Sequence, residues 1–219
     1  MTWALHKPFA AERLSMVELQ LRHRGIQDER VLAAMNRVPR HEFVREEDWP
    51  EAYADHPIAI AERQTTSQPY IIAAMLQAAA IKDSQRVLEI GAGSGYQTAL
   101  LSELASEVLA VERYPTLIKG AKATLERLGY KNVTMVEGDG SLGLAWAAPF
   151  DAIIVSAAAP TIPTALMQQL AIGGRLVIPV GDAQQQILQI VCKQPGGLTV
   201  ETLEGCRFVP LIGQQGFAA

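Results

Sequence analysis

The order of hydrophobic and polar residues predicts helices in the first part of the chain. Residues 10–24 carry leucine or valine at every third or fourth position, which is typical of an amphipathic helix, and Gly25 ends it. A second helix is predicted over residues 28–35, and a third begins near Pro69 because proline suits the first helical turn. Residues 40–66 show no periodicity, and so long an irregular segment in a compact domain usually serves a function or moves.

From residue 86 onward, short apolar runs alternate with amphipathic segments. Strands are predicted over residues 86–90, 108–111, 133–136, 152–155 and 175–179. Helices are predicted over residues 96–104, 115–129 and 163–170. This alternation predicts an α/β fold with a mainly parallel sheet and helices on both faces. The tail differs, since residues 186–192 and 198–209 alternate around a Pro-Gly-Gly turn and predict an antiparallel hairpin at the sheet edge.

A glycine-rich turn joins the first predicted strand of the sheet to the next helix. Gly91, Gly93 and Gly95 stand at alternate positions, and glycine lets the backbone take positive φ and pass close to a ligand. A ligand would then sit at the carboxyl ends of the strands. The dinucleotide fingerprint needs a glycine where Tyr96 stands, so a nicotinamide cofactor is disfavoured.

Three acidic residues complete the pattern around this turn. Glu89 precedes the glycines, and Glu112 ends the next strand, where a carboxylate can accept hydrogen bonds from ribose hydroxyls. Acids on both sides of a Gly-x-Gly-x-Gly turn resemble the S-adenosylmethionine (AdoMet)-dependent methyltransferases. In that fold Asp139 and Gly140, after the third strand, would contact the adenine, and we favour this role over the alternative of a solvated Asp-Gly turn.

Further segments narrow the resemblance, and they span nearly the whole chain in a fixed order. They are residues 38–44 (VPRHEFV), 65–70 (TTSQPY), 148–155 (APFDAIIV), 162–166 (IPTAL), 173–181 (GGRLVIPVG) and 207–211 (RFVPL). The chain resembles the protein-L-isoaspartate (D-aspartate) O-methyltransferases in their bacterial form. The resemblance implies AdoMet as cofactor and damaged proteins as substrates. It implies methylation of the α-carboxylate of L-isoaspartyl residues, which starts repair through a succinimide.

The resemblance places Ser67 at the family's active-site serine, with Thr65 and Thr66 beside the cofactor in the same loop. A carboxylate is already ionised at neutral pH, so the reaction requires alignment and exclusion of water rather than a base. The serine hydroxyl would donate a hydrogen bond to the substrate carboxylate. From the residues alone, Ser67 is also a candidate N-cap of the helix near Pro69, and the two roles are compatible.

The loop before Ser67 departs from the family pattern Gly-x-Gly-Gln-Thr-Ile-Ser-Gln-Pro. Ala61 and Arg63 stand at the two glycine positions and Thr66 at the isoleucine position. Losing the glycines removes easy access to positive φ, and Arg63 adds a cation near the substrate. An AdoMet-dependent methyltransferase for another peptide or small-molecule carboxylate therefore stays open as an alternative, as does a non-catalytic AdoMet-binding module.

Two neighbouring residues in the segment of residues 38–44 also invite a chemical role. His41 could act as a base, but the reaction needs none, so we predict a structural residue of the N-terminal part. Arg40 could attract an anionic peptide, as could Arg45 and Arg63, although a solvated surface position is the default prediction for each.

Composition limits the remaining possibilities. The chain has 219 residues, 49% of them hydrophobic and 19% charged, which is typical of a globular protein. Its net charge of −4 argues against a nucleic-acid-binding surface. Cys192 and Cys206 form no CxxC pair, so we expect neither a disulfide framework nor a metal site, and the reduced cytoplasm fits best. The uncharged residues 152–174 are broken by two prolines and predict a strand, a loop and a helix rather than a membrane span.

Together these features predict a single domain over residues 1–219 with a Rossmann-like methyltransferase fold. We expect a helical cap with the active-site loop over residues 1–82, a cofactor-binding core over 83–182, and a hairpin and tail over 183–219. We further expect a cytoplasmic monomer without a signal peptide that binds neither nucleic acid nor membranes.

Overall fold

The computed structural model of the chain describes residues 9–182 and 184–218. Its helices are α1 (Ala10–Ser15), α2 (Glu29–Arg37), α3 (Pro69–Ala79), α4 (Tyr96–Leu104), α5 (Pro115–Leu128) and α6 (Thr164–Gln169). Its strands are β1 (Ile58–Ala59), β2 (Thr65–Thr66), β3 (Arg86–Ile90), β4 (Glu107–Glu112), β5 (Val133–Glu137), β6 (Phe150–Val155), β7 (Leu170–Gly181), β8 (Gln186–Gln194) and β9 (Gly197–Cys206).

Seven strands form the main sheet, in the order β5-β4-β3-β6-β7-β8-β9. The first five of these run parallel, and β8 and β9 are antiparallel. The predicted mainly parallel sheet with a C-terminal hairpin is therefore confirmed. The chain leaves β3 through β4 and β5, then returns to place β6 on the other side of β3. This reversal makes the carboxyl ends of β3 and β6 the natural position of a ligand crevice.

The central strands are apolar on both faces because both faces are covered. Successive side chains of a strand point to opposite sides of the sheet, and the two sides hold different sets of buried residues. Val87 and Ile154 face the N-terminal segment, α3 and α4, whereas Leu88 and Ile153 face α6 and the chain end. None of the helices in the described part of the chain is long and apolar enough to cross a membrane.

The N-terminal helix is less regular than its sequence predicts. After α1 the chain widens into π-type turns over Met16–Leu21, tightens into a 3₁₀ turn over Arg22–Arg24 and stops at Gly25, whose φ is 96°. Leu14, which helical spacing places on one face with Val17 and Leu21, is 50% exposed in α1, whereas those two are buried, so the predicted apolar face was wrong at Leu14.

The segment of residues 40–66 has more structure than its lack of periodicity indicates. It contains 3₁₀ turns at Arg40–Phe43, Glu46–Glu51 and Ala61–Arg63, and its end pairs β1 with β2. Such short elements carry no periodicity that a sequence pattern could show. The β1–β2 pairing matters most for the site, because it delivers the chain to residue 67 at the edge of the crevice.

Strand β7 begins before its predicted start at residue 175. The register between β6 and β7 shifts around Gly173, whose φ is 84°, so residues 170–174 extend the strand directly from the end of α6. Gly174 cannot carry a side chain, because a Cβ there would lie 2.8 Å from the Asp151 carbonyl oxygen. The glycine pair therefore allows the bulge that a simple strand pattern does not predict.

Two glycines, one in the glycine-rich turn and one in α5, should respond oppositely to the same substitution. Gly95 has a φ of 86° and its Cβ would lie 3.0 Å from the Ala121 Cβ, so Gly95→Ala should lower the free energy of unfolding by about 2–3 kcal/mol. Gly120 lies within α5 with no neighbour in reach, so Gly120→Ala should raise it by about 0.5–1 kcal/mol. Urea unfolding of both variants checks this, and equal effects would contradict the assigned backbone geometry.

Candidate active site

The glycine turn lies where the sheet order predicts a crevice. Gly91, Gly93 and Gly95 have φ values of 85°, 55° and 86°, so all three occupy the conformation that favours glycine. The Gly91 N–H donates to the Val111 carbonyl oxygen at 2.8 Å, which fastens the turn to the end of β4. Beside the turn lies a first cavity, which is open to solvent.

The wall of this first cavity contains five of the nine residues predicted to bind a cofactor. They are Thr65, Gly91, Gly93, Glu112 and Gly140. The other four, Thr66, Glu89, Gly95 and Asp139, do not line it. Their surroundings show what each does instead.

Glu112 connects the glycine turn to the end of β4. One carboxylate oxygen accepts from the Gly93 N–H at 3.0 Å, and the other accepts from the N–H groups of Arg113 at 2.7 Å and Tyr114 at 3.1 Å. A carboxylate can accept about four hydrogen bonds, so capacity remains for a ligand hydroxyl. Glu112 thus fixes the turn and still offers an acceptor in the cavity wall.

Glu89 is fully buried behind the cavity rather than in its wall. Its carboxylate accepts from the Thr98 hydroxyl at 2.6 Å and from Gln97 Nε2 at 3.1 Å, which fastens α4 to β3. Burial raises the pKa of Glu89 to about 7, and the nearby charge of Glu112 acts in the same direction against those two hydrogen bonds. Glu89 therefore does not contact the cavity itself, but its partner Gln97 also contacts Ser156 in the cavity wall.

Asp139 holds the C-terminal segment in place. One carboxylate oxygen accepts from the Ser141 N–H at 2.9 Å and hydroxyl at 2.6 Å, and the other accepts from the Gln214 N–H at 2.8 Å. Burial alone would raise the pKa of Asp139, but these hydrogen bonds and the charge of Arg113 lower it overall. The interpretation as a merely solvated turn was therefore wrong. Asp139 borders a third space that adjoins the first cavity and is also lined by Arg113 and Phe217.

A second and larger cavity of about 1370 Å³ lies on the other side of the residue 65–69 loop. Ser67 is in its wall, together with Tyr70 from α3 and Arg207 from the end of the hairpin. The two cavities share four wall residues: Thr65, Ser156, Val209 and Pro210. The glycine turn and the serine loop therefore face a common junction.

The Ser67 side chain does not cap helix α3. The N-cap position is Gln68, its side chain makes no capping hydrogen bond, and Pro69 occupies the first turn without an N–H to satisfy. The interpretation of Ser67 as an N-cap was therefore wrong. No acceptor or donor among the described residues engages the Ser67 hydroxyl, which stays available in the wall of the second cavity.

Arg40 fastens the serine loop from beneath. It is fully buried, and its guanidinium donates to the Ser67 carbonyl oxygen at 2.9 Å and to the Thr66 hydroxyl at 3.3 Å while lying 4.9 Å from the Tyr96 ring centroid. Burial lowers the pKa of Arg40, yet an arginine stays charged in a protein. Its default placement on a solvated surface was wrong. Thr66, only 6% exposed, is turned toward this arginine.

His41 has the structural role that was predicted for it. Its ring is buried, Nδ1 lies 2.7 Å from the Tyr53 hydroxyl, and it packs against Phe9 and Trp49. It lines neither cavity. A buried imidazole in aromatic surroundings contributes to packing of the N-terminal segment.

The altered loop keeps a glycine-like backbone without the glycines. Arg63 has a φ of 56° and its neighbour Glu62 has a φ of 57°, although side chains rarely adopt this region. The expectation that losing glycine removes positive φ was therefore wrong at Arg63. The Arg63 side chain is exposed and lines neither cavity. The substitution adds strain to the loop and leaves the walls of the site unchanged.

Sequence reasoning missed Ser156 as a site residue, and it named Arg40 but placed it on the surface. Ser156 directly follows β6 at the sheet's carboxyl edge, a position that parallel sheets commonly use for ligands, so the sequence did contain a signal. The sequence gives no signal for the burial of Arg40, because its partners lie 26 and 27 residues away along the chain. Among residues 9–182 and 184–218, no three histidine, cysteine or acidic side chains are grouped to hold a metal ion.

A comparison with protein-family models shows which family the chain belongs to. The model described as Protein-L-isoaspartate(D-aspartate) O-methyltransferase (PCMT) matches residues 12–216. The chain belongs to the PCMT family. The match covers the N-terminal segment, the sheet and the hairpin, so the whole site lies within it.

Individual PCMT relatives agree with the family match. A Protein-L-isoaspartate O-methyltransferase from Koribacter versatilis is 55% identical over 210 residues, covering 96% of this chain and 95% of that one. A solved structure with the same name superposes with a TM-score of 0.84 at 29% identity, covering 93% of this chain and 67% of that one. A Plasmodium falciparum PCMT structure in complex with S-adenosyl-L-homocysteine has a TM-score of 0.80 at 27% identity, covering 91% and 98%.

The buried carboxyl of Glu89 should make stability depend on pH. Because the folded state raises its pKa from 4.5 to about 7, the folded state binds the proton more tightly. The Glu89 contribution to the free energy of unfolding should therefore fall, by roughly 3 kcal/mol, as pH rises from about 4.5 to about 7.

Urea unfolding of wild type and Glu89→Gln across this pH range measures that contribution as a difference. The difference should decline between the two pKa values and then become flat. Glu126→Gln, which removes an exposed glutamate of α5, is the matched control and should give a flat difference throughout. A flat curve for Glu89→Gln as well would contradict the assignment.

Proposed function

We propose that this PCMT-family protein transfers a methyl group from AdoMet to the α-carboxylate of L-isoaspartyl residues in damaged proteins. The observation that carries this proposal is the junction of two cavities, one beside the glycine turn and one containing the Ser67 hydroxyl. A methyl transfer needs its donor and acceptor in line and in contact, which two sites with a shared wall provide.

The first cavity fits AdoMet in chemistry. The Gly91 and Gly93 backbone would approach the ligand closely, and the Glu112 carboxylate would accept from the ribose hydroxyls. Gly140 and Asp139 would border the adenine. When bound, AdoMet supplies a methyl group made electrophilic by its sulfonium.

Thr65 and Thr66 would contribute to cofactor binding in different ways. Thr65 lies in the wall of both cavities and can contact the ligand directly. Thr66 lines neither cavity, and its hydroxyl accepts from the Arg40 guanidinium. Thr66 would contribute by holding the loop in place. In the same indirect way, Gly95 would maintain the glycine turn and Glu89 would fasten α4 to β3.

Ser67 would orient the substrate rather than act as a nucleophile. Its hydroxyl can donate to one oxygen of the isoaspartyl carboxylate and leave the other oxygen facing the methyl group. The charges of carboxylate and sulfonium cancel as the methyl moves, and a site sheltered from water favours that cancellation. The resulting ester allows the neighbouring backbone nitrogen to expel methanol and close a succinimide, which water then opens partly to normal aspartate.

The structure gives no support to the alternative that the substrate is a different carboxylate. It rested on Ala61, Arg63 and Thr66, and none of these side chains lines the second cavity. Isoaspartyl proteins therefore remain the substrates we propose. The cytoplasmic monomer that binds neither nucleic acid nor membranes stays a prediction.

The central test compares two peptides that differ only in an isoaspartyl or an aspartyl residue. With labelled AdoMet, the wild-type protein should form base-labile methyl esters on the isoaspartyl peptide alone. Ser67→Ala should lower kcat/KM about 10- to 100-fold, because a hydrogen bond to a charged group is lost. Ser106→Ala, whose hydroxyl donates to the Gln85 carbonyl oxygen at the far end of the sheet, should match wild type. Equal labelling of both peptides would refute the proposed specificity.

A second test concerns cofactor binding alone. Glu112→Gln replaces a carboxylate oxygen by an amide group that faces backbone N–H donors, so the glycine turn loses an acceptor. The dissociation constant for AdoMet, measured by titration calorimetry, should rise about 10- to 100-fold. Glu126→Gln alters an exposed acid of α5 that lines none of the three cavities, and serves as the control. Unchanged affinity in Glu112→Gln would remove Glu112 from the cofactor site.

A further inference from the structure

Ser156 stands at the junction of the two cavities. It follows the last residue of β6, and its N–H donates to the Ile90 carbonyl oxygen at 2.8 Å, so its backbone is held against the end of β3. The residue is half-buried and lies in the walls of both cavities. A side chain there can reach whatever occupies the space between the cofactor turn and Ser67.

The hydrogen bonds around Ser156 determine which role its hydroxyl can take. Gln97 Nε2 lies 2.7 Å from the Ser156 Oγ and 3.1 Å from a Glu89 carboxylate oxygen. An ionised carboxylate only accepts, so the Gln97 nitrogen must face Glu89, and its two protons go one to each partner. The Ser156 oxygen is thus an acceptor, and its own proton remains to be donated.

No group in the described part of the chain receives that proton. Gln97 therefore holds the Ser156 hydroxyl so that its proton is free to be donated to a ligand. A carboxylate is the partner that such a donor fits, because it offers acceptors alone. One contact from Ser67 leaves a carboxylate free to turn about that contact, whereas a second donor fixes its plane.

We propose that Ser156 is a second hydroxyl that binds the substrate carboxylate at the point of methyl transfer, with Gln97 as its positioning residue. This inference rests on the proposed function, since it assumes a carboxylate substrate in the second cavity. Ser67 and Ser156 would hold the carboxylate from two sides, one from the loop before α3 and one from the end of β6.

The ionisation state of Glu89 should determine whether Ser156 can donate its proton, so activity should depend on pH. When Glu89 is protonated, the Gln97 amide can turn its oxygen toward Glu89 and Ser156 and accept from both hydroxyls, which consumes the Ser156 proton. Of the described residues that face Glu89, Gln97 and Thr98 come from α4 and Glu112, the other charged group, comes from β4. Activity that depends on Ser156 should therefore rise with pH as Glu89 ionises.

The test measures methyl ester formation on the isoaspartyl peptide and AdoMet affinity in the same variants. Ser156→Ala should lower kcat/KM about 10- to 100-fold and leave the AdoMet dissociation constant unchanged. Ser156→Thr keeps the hydroxyl and should retain most of the activity. Ser106→Ala is the matched control for a serine outside the site and should match wild type.

Gln97→Leu tests the positioning role. It should lower kcat/KM about tenfold in the wild-type background and have no further effect in Ser156→Ala, because both changes remove one shared interaction. The pH step assigned to Glu89 should be present in wild type and absent from Ser156→Ala. A purely structural role of Gln97 would lower activity equally in both backgrounds.

Three outcomes would overturn the inference, and they differ from one another. Full activity in Ser156→Ala would remove the hydroxyl from the reaction. Weaker AdoMet binding in Ser156→Ala with an unchanged KM for peptide would assign the hydroxyl to the cofactor. Failure of the wild-type protein to methylate the isoaspartyl peptide, with AdoMet binding intact, would refute the proposed function and this inference together.

Discussion

The parallel pairing of β3 with β6 is the constraint on which the site depends. Because β3 leads into the glycine turn and β6 leads into Ser156, this pairing brings the cofactor turn beside the junction of the two cavities. The Ser156–Ile90 hydrogen bond continues the ladder one residue past the end of β6. The strands are apolar on both faces, so burial of the whole sheet stabilises the arrangement that positions the site.

Around this pairing, the protein keeps charged groups in places where burial is costly. Glu89 and Arg40 are both fully buried, and neither makes an ion pair with an acid or base among the described side chains. Their hydrogen bonds offset part of the desolvation cost, although the Arg40 Nε has no partner. Both groups connect an element of the fold to a loop of the site. The cost is therefore concentrated where the loops must be held in one position.

Sequence reasoning reached the framework of the site more readily than its details. The glycine turn and Glu112 could be predicted because strand, turn and helix follow each other along the chain and set the local geometry. The orientation of Thr66 and the burial of Glu89 could not, since each depends on a partner from another element: Arg40 for the first, the packing of α4 on β3 for the second. Periodicity records which face of an element is apolar, and carries no information about which loop side chain faces a cavity.

The loop before Ser67 shows how tertiary contacts override local preference. Arg63 and Glu62 adopt a backbone conformation that glycine would adopt without strain. The path is fixed from outside: β1 pairs with β2, the Ile60 N–H donates to the Gln64 carbonyl oxygen at 2.9 Å, and the Thr116 hydroxyl donates to the Glu62 carboxylate at 2.5 Å. Because both ends of the loop are held, Glu62 and Arg63 keep a strained backbone conformation and the path of the loop does not change. The chemistry of the site therefore follows from the residues that line its cavities, and a departure from the family pattern elsewhere in the loop alters its stability first.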